Sequence, residues 1–281
     1  MSPTNAHLEA LNGPQRRAVT YGEPVLPKGF RSGPLLIVAG AGTGKTSTLA
    51  ARVAHLVING VDPGRILMLT FTRRAALEMR RRARDIVKQA LQETVTGISQ
   101  SMLQRMQWAG TFHAIGARLL RHYARHLNLD PSFTILDRGD SADLIDSIRE
   151  ELGFAKLDKR FPRKDVCLGI YSHRVNTQGS LKETLESQFP WCAGWSEELT
   201  QIFRKYVERK QQLSLLDYDD LLLYWHAMMQ EPKFAQHVSR HFDHVLVDEY
   251  QDTNRLQAEI LLAMRPDGAG LTVVGDDAQA I

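Results

Sequence analysis

The chain has 281 residues, 43% hydrophobic and 24% charged, which is enough to fill one large or two moderate cores and excludes a disordered tail or a disulfide-dense miniprotein. A net charge of +3 is too small to name a partner. Two cysteines, Cys167 and Cys192, lack zinc-like spacing and read as free thiols of a reducing compartment. No apolar run reaches the roughly 18 residues that span a bilayer, and the start carries no charged-then-apolar leader, so a cytoplasmic location is expected.

In chain order, Gln15 on a short amphipathic helix means nothing by itself. The apolar run Leu35 to Ala39 reads as a buried strand, and Ser47 to Ile58 has helical periodicity. Between them lie Ala39, Gly40, Ala41, Gly42, Thr43, Gly44, Lys45 and Thr46, the strand, loop and helix context of a P-loop. Glycines let the backbone curl so that its N–H groups and the helix N-terminus point at phosphates. Lys45 is then expected on the β- and γ-phosphates of ATP, with the Thr46 hydroxyl on Mg²⁺. The pattern normally opens with Gly, and here that place is Ala39.

A strand from Ile66 to Phe71 precedes a helix with six arginines, Arg73, Arg74, Arg80, Arg81, Arg82 and Arg84, against one acid, Glu78. Ala75, Ala76, Met79, Ala83 and Ile86/Val87 bury one face and turn the arginines outward. Two readings stay open, a solvated basic face and an edge that contacts nucleic-acid phosphates. Phe71 suits either a base stack or a core. The Gln- and Thr-rich stretch Asp85 to Gln107 has no assigned purpose. Helical periodicity returns at Ile115 to Leu127, Ser141 to Leu152 and Glu197 to Lys210, punctuated by Pro131, Pro162, Gly179 and Pro190.

His244 to Val247 reads as a buried strand ending in Asp248 and Glu249. Adjacent acids at a strand end are either merely exposed or face a cation; beside a P-loop the second reading holds, with Asp248 on Mg²⁺ and Glu249 taking a proton from the attacking water. A last strand, Leu271 to Gly275, leads to Asp276, Asp277 and Gln279, where a surface turn and a γ-phosphate sensor are both open.

With these motifs in order, the chain resembles the N-terminal half of a UvrD/Rep/PcrA-type superfamily 1A DNA helicase. Leu11 to Val19 is similar to its Q motif, which implies that Gln15 reads adenine. Leu69 to Met79 resembles motif Ia and Gly110 to His113 motif Ib, which implies that Phe71, Thr72, Arg73, Thr111 and His113 face a DNA strand. Leu216 to Leu222 resembles the D-[FY]-x-D-L-L element, Val247 to Asn254 motif II, and Val274 to Ile281 motif III, with Gln279 coupling nucleotide to DNA. The resemblance implies an α/β fold, a mostly parallel RecA-like sheet with an inserted helical subdomain. Residues 1–113 and 214–281 would form the ATP-binding domain 1A, and 114–213 the insertion 1B, where Arg163, Lys164, His173, Arg174 and Lys182 either touch DNA or only solubilise. It implies an ATP-dependent 3′-to-5′ helicase or translocase acting at junctions of single-stranded and duplex DNA.

Three departures stand out. Ser47 replaces an arginine that packs on adenine in many relatives, which implies a weaker grip on the base. The sequence ends at Ile281, before the tyrosine after motif III and the arginine fingers of a second RecA-like domain, so poor hydrolysis by this chain alone is expected, a finger being worth roughly 10³ to 10⁵ in rate. Arg73 and Arg74 stand where the family tends to have Asn-Lys. The alternatives are the front of a RecB- or AddA-like helicase-nuclease, or a truncated non-catalytic module that binds nucleotide or DNA.

Overall fold

A computed structural model describes residues 6–40, 42–92, 104–154 and 161–276. The chain divides into two compact units: Met1–Ile115 with Met229–Thr253 and Leu261–Ile281, and Gly116–Met228 with Asn254–Ile260. No helix among the described residues is long and apolar enough to cross a membrane.

The first unit opens on a short helix at Ala6–Glu9, a second at Gly13–Thr20 and a two-stranded hairpin, β1 (Glu23–Pro24) and β2 (Phe30–Arg31). Its centre is a sheet of β3 (Leu35–Val38), β4 (Ile66–Thr70), β5 (Ala109–Thr111), β8 (His244–Val247) and β9 (Leu271–Gly275), in the order β3-β9-β8-β4-β5 and parallel throughout. This is the α/β class that the motifs imply. β4 and β8 are buried at every position, which suits strands covered on both faces. β3 departs from the expected buried strand. It is the sheet edge, with Leu36 62% and Val38 55% exposed while Ile37 packs into the core. An apolar run reports that a strand forms, and only the topology reports which flank is covered.

Helices Lys45–Ile58 and Arg73–Gln92 close the core, bringing Leu49, Val53 and Leu56 together with Met79, Ala83 and Val87 against Met68, Leu246 and Val274. Arg52, on the first of these helices, is fully buried. Its guanidinium donates to the Ala18, Val19 and Tyr21 carbonyls and to the hydroxyls of Thr272 and Ser32, at 3.0–3.2 Å. Burial lowers its pKa to about 10, so it stays charged at neutral pH, and its protons meet the orphan carbonyls at the end of helix Gly13–Thr20.

The second unit contains helices Arg138–Glu151, Lys164–Thr177, Leu181–Gln188 and Ser196–Gln212, with a two-residue parallel pair of β6 (Thr134–Ile135) and β7 (Leu215–Leu216). Helix Arg138–Glu151 starts three residues before the predicted Ser141, because Asp137 and Asp140 form a capping box. Ile145, Ile148, Leu199, Ile202 and Phe203 form the core, with both cysteines, which are free and buried. Burial pushes the Cys167 thiol up to about 12, which makes it inert at neutral pH. Asp219 accepts hydrogen bonds from Ser172 and from Asn176 Nδ2 (2.8 Å), and Asn176 Oδ1 accepts one from Asn254 Nδ2 (2.7 Å).

Candidate nucleotide site

Parallel strands deliver their following loops to one end of a sheet, and that is where the polar motifs gather. After β3, Ala39 N donates to Gly275 O (3.1 Å) and continues the ladder. Ala39 is not among the residues with positive φ, so glycine is not required there, and the departure from the usual pattern has no structural cost. Gly42 (φ 78°) and Gly44 (φ 85°) do need left-handed backbone, and Gly44 caps the helix that starts at Lys45. Thr43 Oγ1 closes the loop onto Gly40 O at 2.7 Å. Ala41 lies outside the described residues.

Asp248 and Glu249 follow β8. Thr46 Oγ1 donates to Asp248 Oδ2 (3.1 Å), and Lys45 Nζ lies 3.2 Å from Asp276 Oδ2 and 3.9 Å from Glu249 Oε2. Burial, opposed by the Thr46 hydroxyl, raises the pKa of the Asp248 carboxyl. Lys45 and Thr46 thus share one hollow of about 570 Å³ with Glu249 and Asp276, floored by Gly42, Gly44 and Lys45 and walled by Thr72, Glu78 and Arg82.

Three members of this site carried no role in the sequence reading. Asp276, nearly buried, is the acid nearest Lys45 among the described residues. Gln251 joins two motifs: its Nε2 donates to Glu249 Oε2 (2.7 Å) and its Oε1 accepts from Asp276 N (3.0 Å). Arg82 donates from Nη1 to Ser47 Oγ (2.6 Å) and from Nε to Glu78 Oε1 (2.6 Å). The position that lacks an arginine therefore holds a guanidinium from another helix. The arginine face is also less free than its sequence suggests, since Arg81 and Arg82 both pair with Glu78.

Gln15 has both ends of its amide engaged. Oε1 accepts from Asn12 N (3.0 Å) and Nε2 donates to Thr43 O (2.9 Å), tying helix Gly13–Thr20 to the loop. Phe71, Thr72, Thr111 and His113 converge at the adjacent ends of β4 and β5, where Thr70 pairs in register with Thr111. Phe71 is 43% exposed, and Thr72 and Thr111 accept from Ala75 N and Ala114 N as helix caps. Arg73 is exposed, and burial lowers the His113 pKa. Gln279 lies outside the described residues, as does part of the Asp85 to Gln107 stretch.

A glycine loop running into a helix N-terminus, opposed by two carboxylates from the strand next but one in the sheet, defines a P-loop nucleotide site on a parallel sheet. The sequence model for the UvrD/REP helicase N-terminal domain matches residues 23–281, and the chain belongs to that family. It is 36% identical to ATP-dependent DNA helicase UvrD1 of Mycobacterium tuberculosis (strain ATCC 25618 / H37Rv) over 100% of its own length and 34% of the relative's. DNA helicase II of Escherichia coli (strain K12) is 31% identical, with 98% of this chain and 34% of the relative covered. ATP-dependent DNA helicase PcrA of Staphylococcus epidermidis (strain ATCC 12228 / FDA PCI 1200) is 30% identical, with 99% and 34% covered. The chain thus spans about a third of the length of the curated relatives it matches.

Proposed function

We propose that this chain is the ATP-binding part of an ATP-dependent DNA helicase or translocase that moves 3′ to 5′ along single strands toward duplex junctions. In this reading residues 1–113 and 214–281 form domain 1A, and residues 114–213 the inserted subdomain 1B. The observation that carries the proposal is the meeting of Lys45 and Thr46 with Asp248 and Glu249.

The donor set suits Mg²⁺: a hydroxyl and a buried carboxylate, both hard oxygen ligands, lie within 3.1 Å of each other. Thr46 and Asp248 would hold the ion, which supplies charge neutralisation of the phosphate oxygens. Lys45, now beside Asp276 and Glu249, exchanges part of that pairing for the γ-phosphate. Glu249 accepts the proton of the attacking water. Its backbone is left-handed (φ 52°, ψ 46°), a conformation that costs a non-glycine residue roughly 1–3 kcal/mol. That strain aims its carboxylate into the hollow, and Gln251 steadies it. Arg82 supplies a flat cation at the wall where Ser47 is small, and Gln15 props the loop on the adenine side. Phe71, Thr72, Arg73, Thr111 and His113 form the edge toward DNA, with Gln279 linking the two sites.

Glu249→Gln in the full-length protein should lower DNA-stimulated ATP turnover by about 10² or more while ATP binding is retained. Unchanged turnover would remove Glu249 as the base. Polarity is tested with partial duplexes, and unwinding of a 5′-tailed substrate in preference to a 3′-tailed one would reverse the proposed direction.

A further inference from the structure

The second unit contains a hollow that the helicase reading does not use. Helix Ser196–Gln212 ends at a corner where Ser214 adopts left-handed backbone, φ 51°, so that β7 turns back to pair with β6. Between this corner and the loop from Leu127 to Phe133 lies a space of about 460 Å³, within the roughly 300–1,000 Å³ of small-molecule sites. Leu127, Leu129, Phe133, Leu215 and Tyr224 give it apolar walls, and the buried side chains of Lys210 and Asp220 line it as well.

The polar groups set what it can take. Lys210 Nζ has three protons and three acceptors, Asp217 Oδ2 and Asp220 Oδ2 at 2.6 Å each and Tyr171 OH at 3.4 Å. Its ammonium also sits 4.3 Å from the Tyr206 ring centroid. No proton remains for an incoming anion. Asp220 Oδ2 accepts from Lys210 and from Asp217 N (3.0 Å), whereas Oδ1 has no hydrogen bond to any described residue. Two buried acids against one lysine leave a net negative charge, and exposed Asp130 adds another among the lining residues. An acceptor with no protein donor, open to a negative hollow that has apolar residues along one wall, suits a cationic donor on an apolar body.

We propose that this hollow binds a small organic cation, its ring-sized apolar part against Leu129, Phe133 and Tyr224 and its primary ammonium donating to Asp220 Oδ1. Burial and the neighbouring Asp217 raise the pKa of the Asp220 carboxyl, so binding is best measured at pH 8, where the carboxylate is ionised.

The test is a ligand-observed NMR titration of the complete chain with phenethylamine, 2-phenylethanol and 3-phenylpropionate, which share a ring and differ in the head group. The amine should bind with a Kd on the order of 1 mM, as suits about nine heavy atoms, and at least about tenfold more tightly than the other two. Leu129→Trp, which fills the hollow without touching the charges, should abolish binding with Tm retained. Asp220→Asn should erase the preference of amine over alcohol. Equal or tighter binding of the carboxylate, amine binding that survives Leu129→Trp, or no binding at about 10 mM would each overturn the proposal. None of these readouts depends on ATP turnover, so they stand or fall apart from the helicase reading.

Discussion

Lys45 and Lys210 each stand between two carboxylates, yet one arrangement is built to be exchanged and the other to stay. Lys45 contacts Asp276 at 3.2 Å and Glu249 at 3.9 Å, and the Glu249 side chain is 36% exposed. Lys210 holds both partners at 2.6 Å, with all three side chains under 10% exposed and two tyrosines packed over the ammonium. Residue types alone do not separate the two, since each is one lysine set against two acids. What differs is distance, burial and the number of donors left over. A site that must accept a triphosphate keeps its cation loosely paired, whereas a cluster that fixes a helix corner uses every proton.

Lys210→Met is the severest way to break this contrast. Removing one partner of a buried pair leaves Asp217 and Asp220 uncompensated, and about 3–5 kcal/mol of stability should be lost. Lys45→Met should cost less than that, because its pairing is longer and Glu249 is partly open to solvent although Asp276 is buried, and should abolish ATP turnover instead. Chemical denaturation of both variants checks this, and equal destabilisation would end the distinction.

Acid should separate the two units in the same sense. His55 and His244, both in the first unit, are buried and their pKa values fall to about 4, chiefly by desolvation. Between 4 and 6.5 the unfolded chain binds protons that the folded one refuses, so their contribution is full above 6.5 and is lost as pH falls through that window. At pH 5 the loss is about 2 kcal/mol for each histidine. Asp219 and Asp220 in the second unit are shifted upward by burial, so their contribution has the opposite sign, present at low pH and lost as pH rises through their raised values. Hydrogen exchange at pH 7.5 and 5.0, corrected for intrinsic rate, should show protection falling around Val53 to Leu56 before it falls around Ile202 to Tyr206.

Much of the nucleotide site was legible because its parts are local. A strand, a glycine loop and a helix N-terminus occupy twelve consecutive residues, 35–46, and the acids after β8 follow their own strand directly. The partners of those parts were not legible. Lys45 and Asp276 are 231 positions apart and Arg52 and Thr272 are 220 apart, and a contact between distant loops leaves no periodicity in either. Arg82 was read by its charge and helix face, which report that it leaves the core but not that it turns back to Ser47. The edge position of β3 was hidden for the same reason.

Gln251 sharpens the contrast at the level of a single amide. Gln251→Ala removes the donor on Glu249 Oε2 and the acceptor for Asp276 N together, so kcat should fall about tenfold through misplacement of the base while KM for ATP moves little. Gln251→Glu keeps the acceptor but sets a second carboxylate against Glu249, and should fall further. A loss confined to Tm, with kcat intact, would make Gln251 a structural brace only.

The smallest effect belongs to Arg82. Its side chain is 44% exposed and tied to Glu78 and Ser47, so its strength as an ion pair is modest. Its position is what counts, because it walls the hollow beside the P-loop helix where Ser47 offers only a hydroxyl. If it holds the nucleotide equally in the ground and transition states, Arg82→Ala raises KM for ATP about fivefold and leaves kcat within about twofold. Arg82→Lys keeps the charge but loses the planar fork and should recover only part of the affinity. Arg81→Ala, on the same helix and also paired with Glu78, is the control: it removes an exposed arginine that donates to no P-loop residue and should leave KM unchanged. A matched rise in both variants would assign the effect to the general field of the arginine helix, and a rise in Arg82→Ala alone would assign it to the wall of the site.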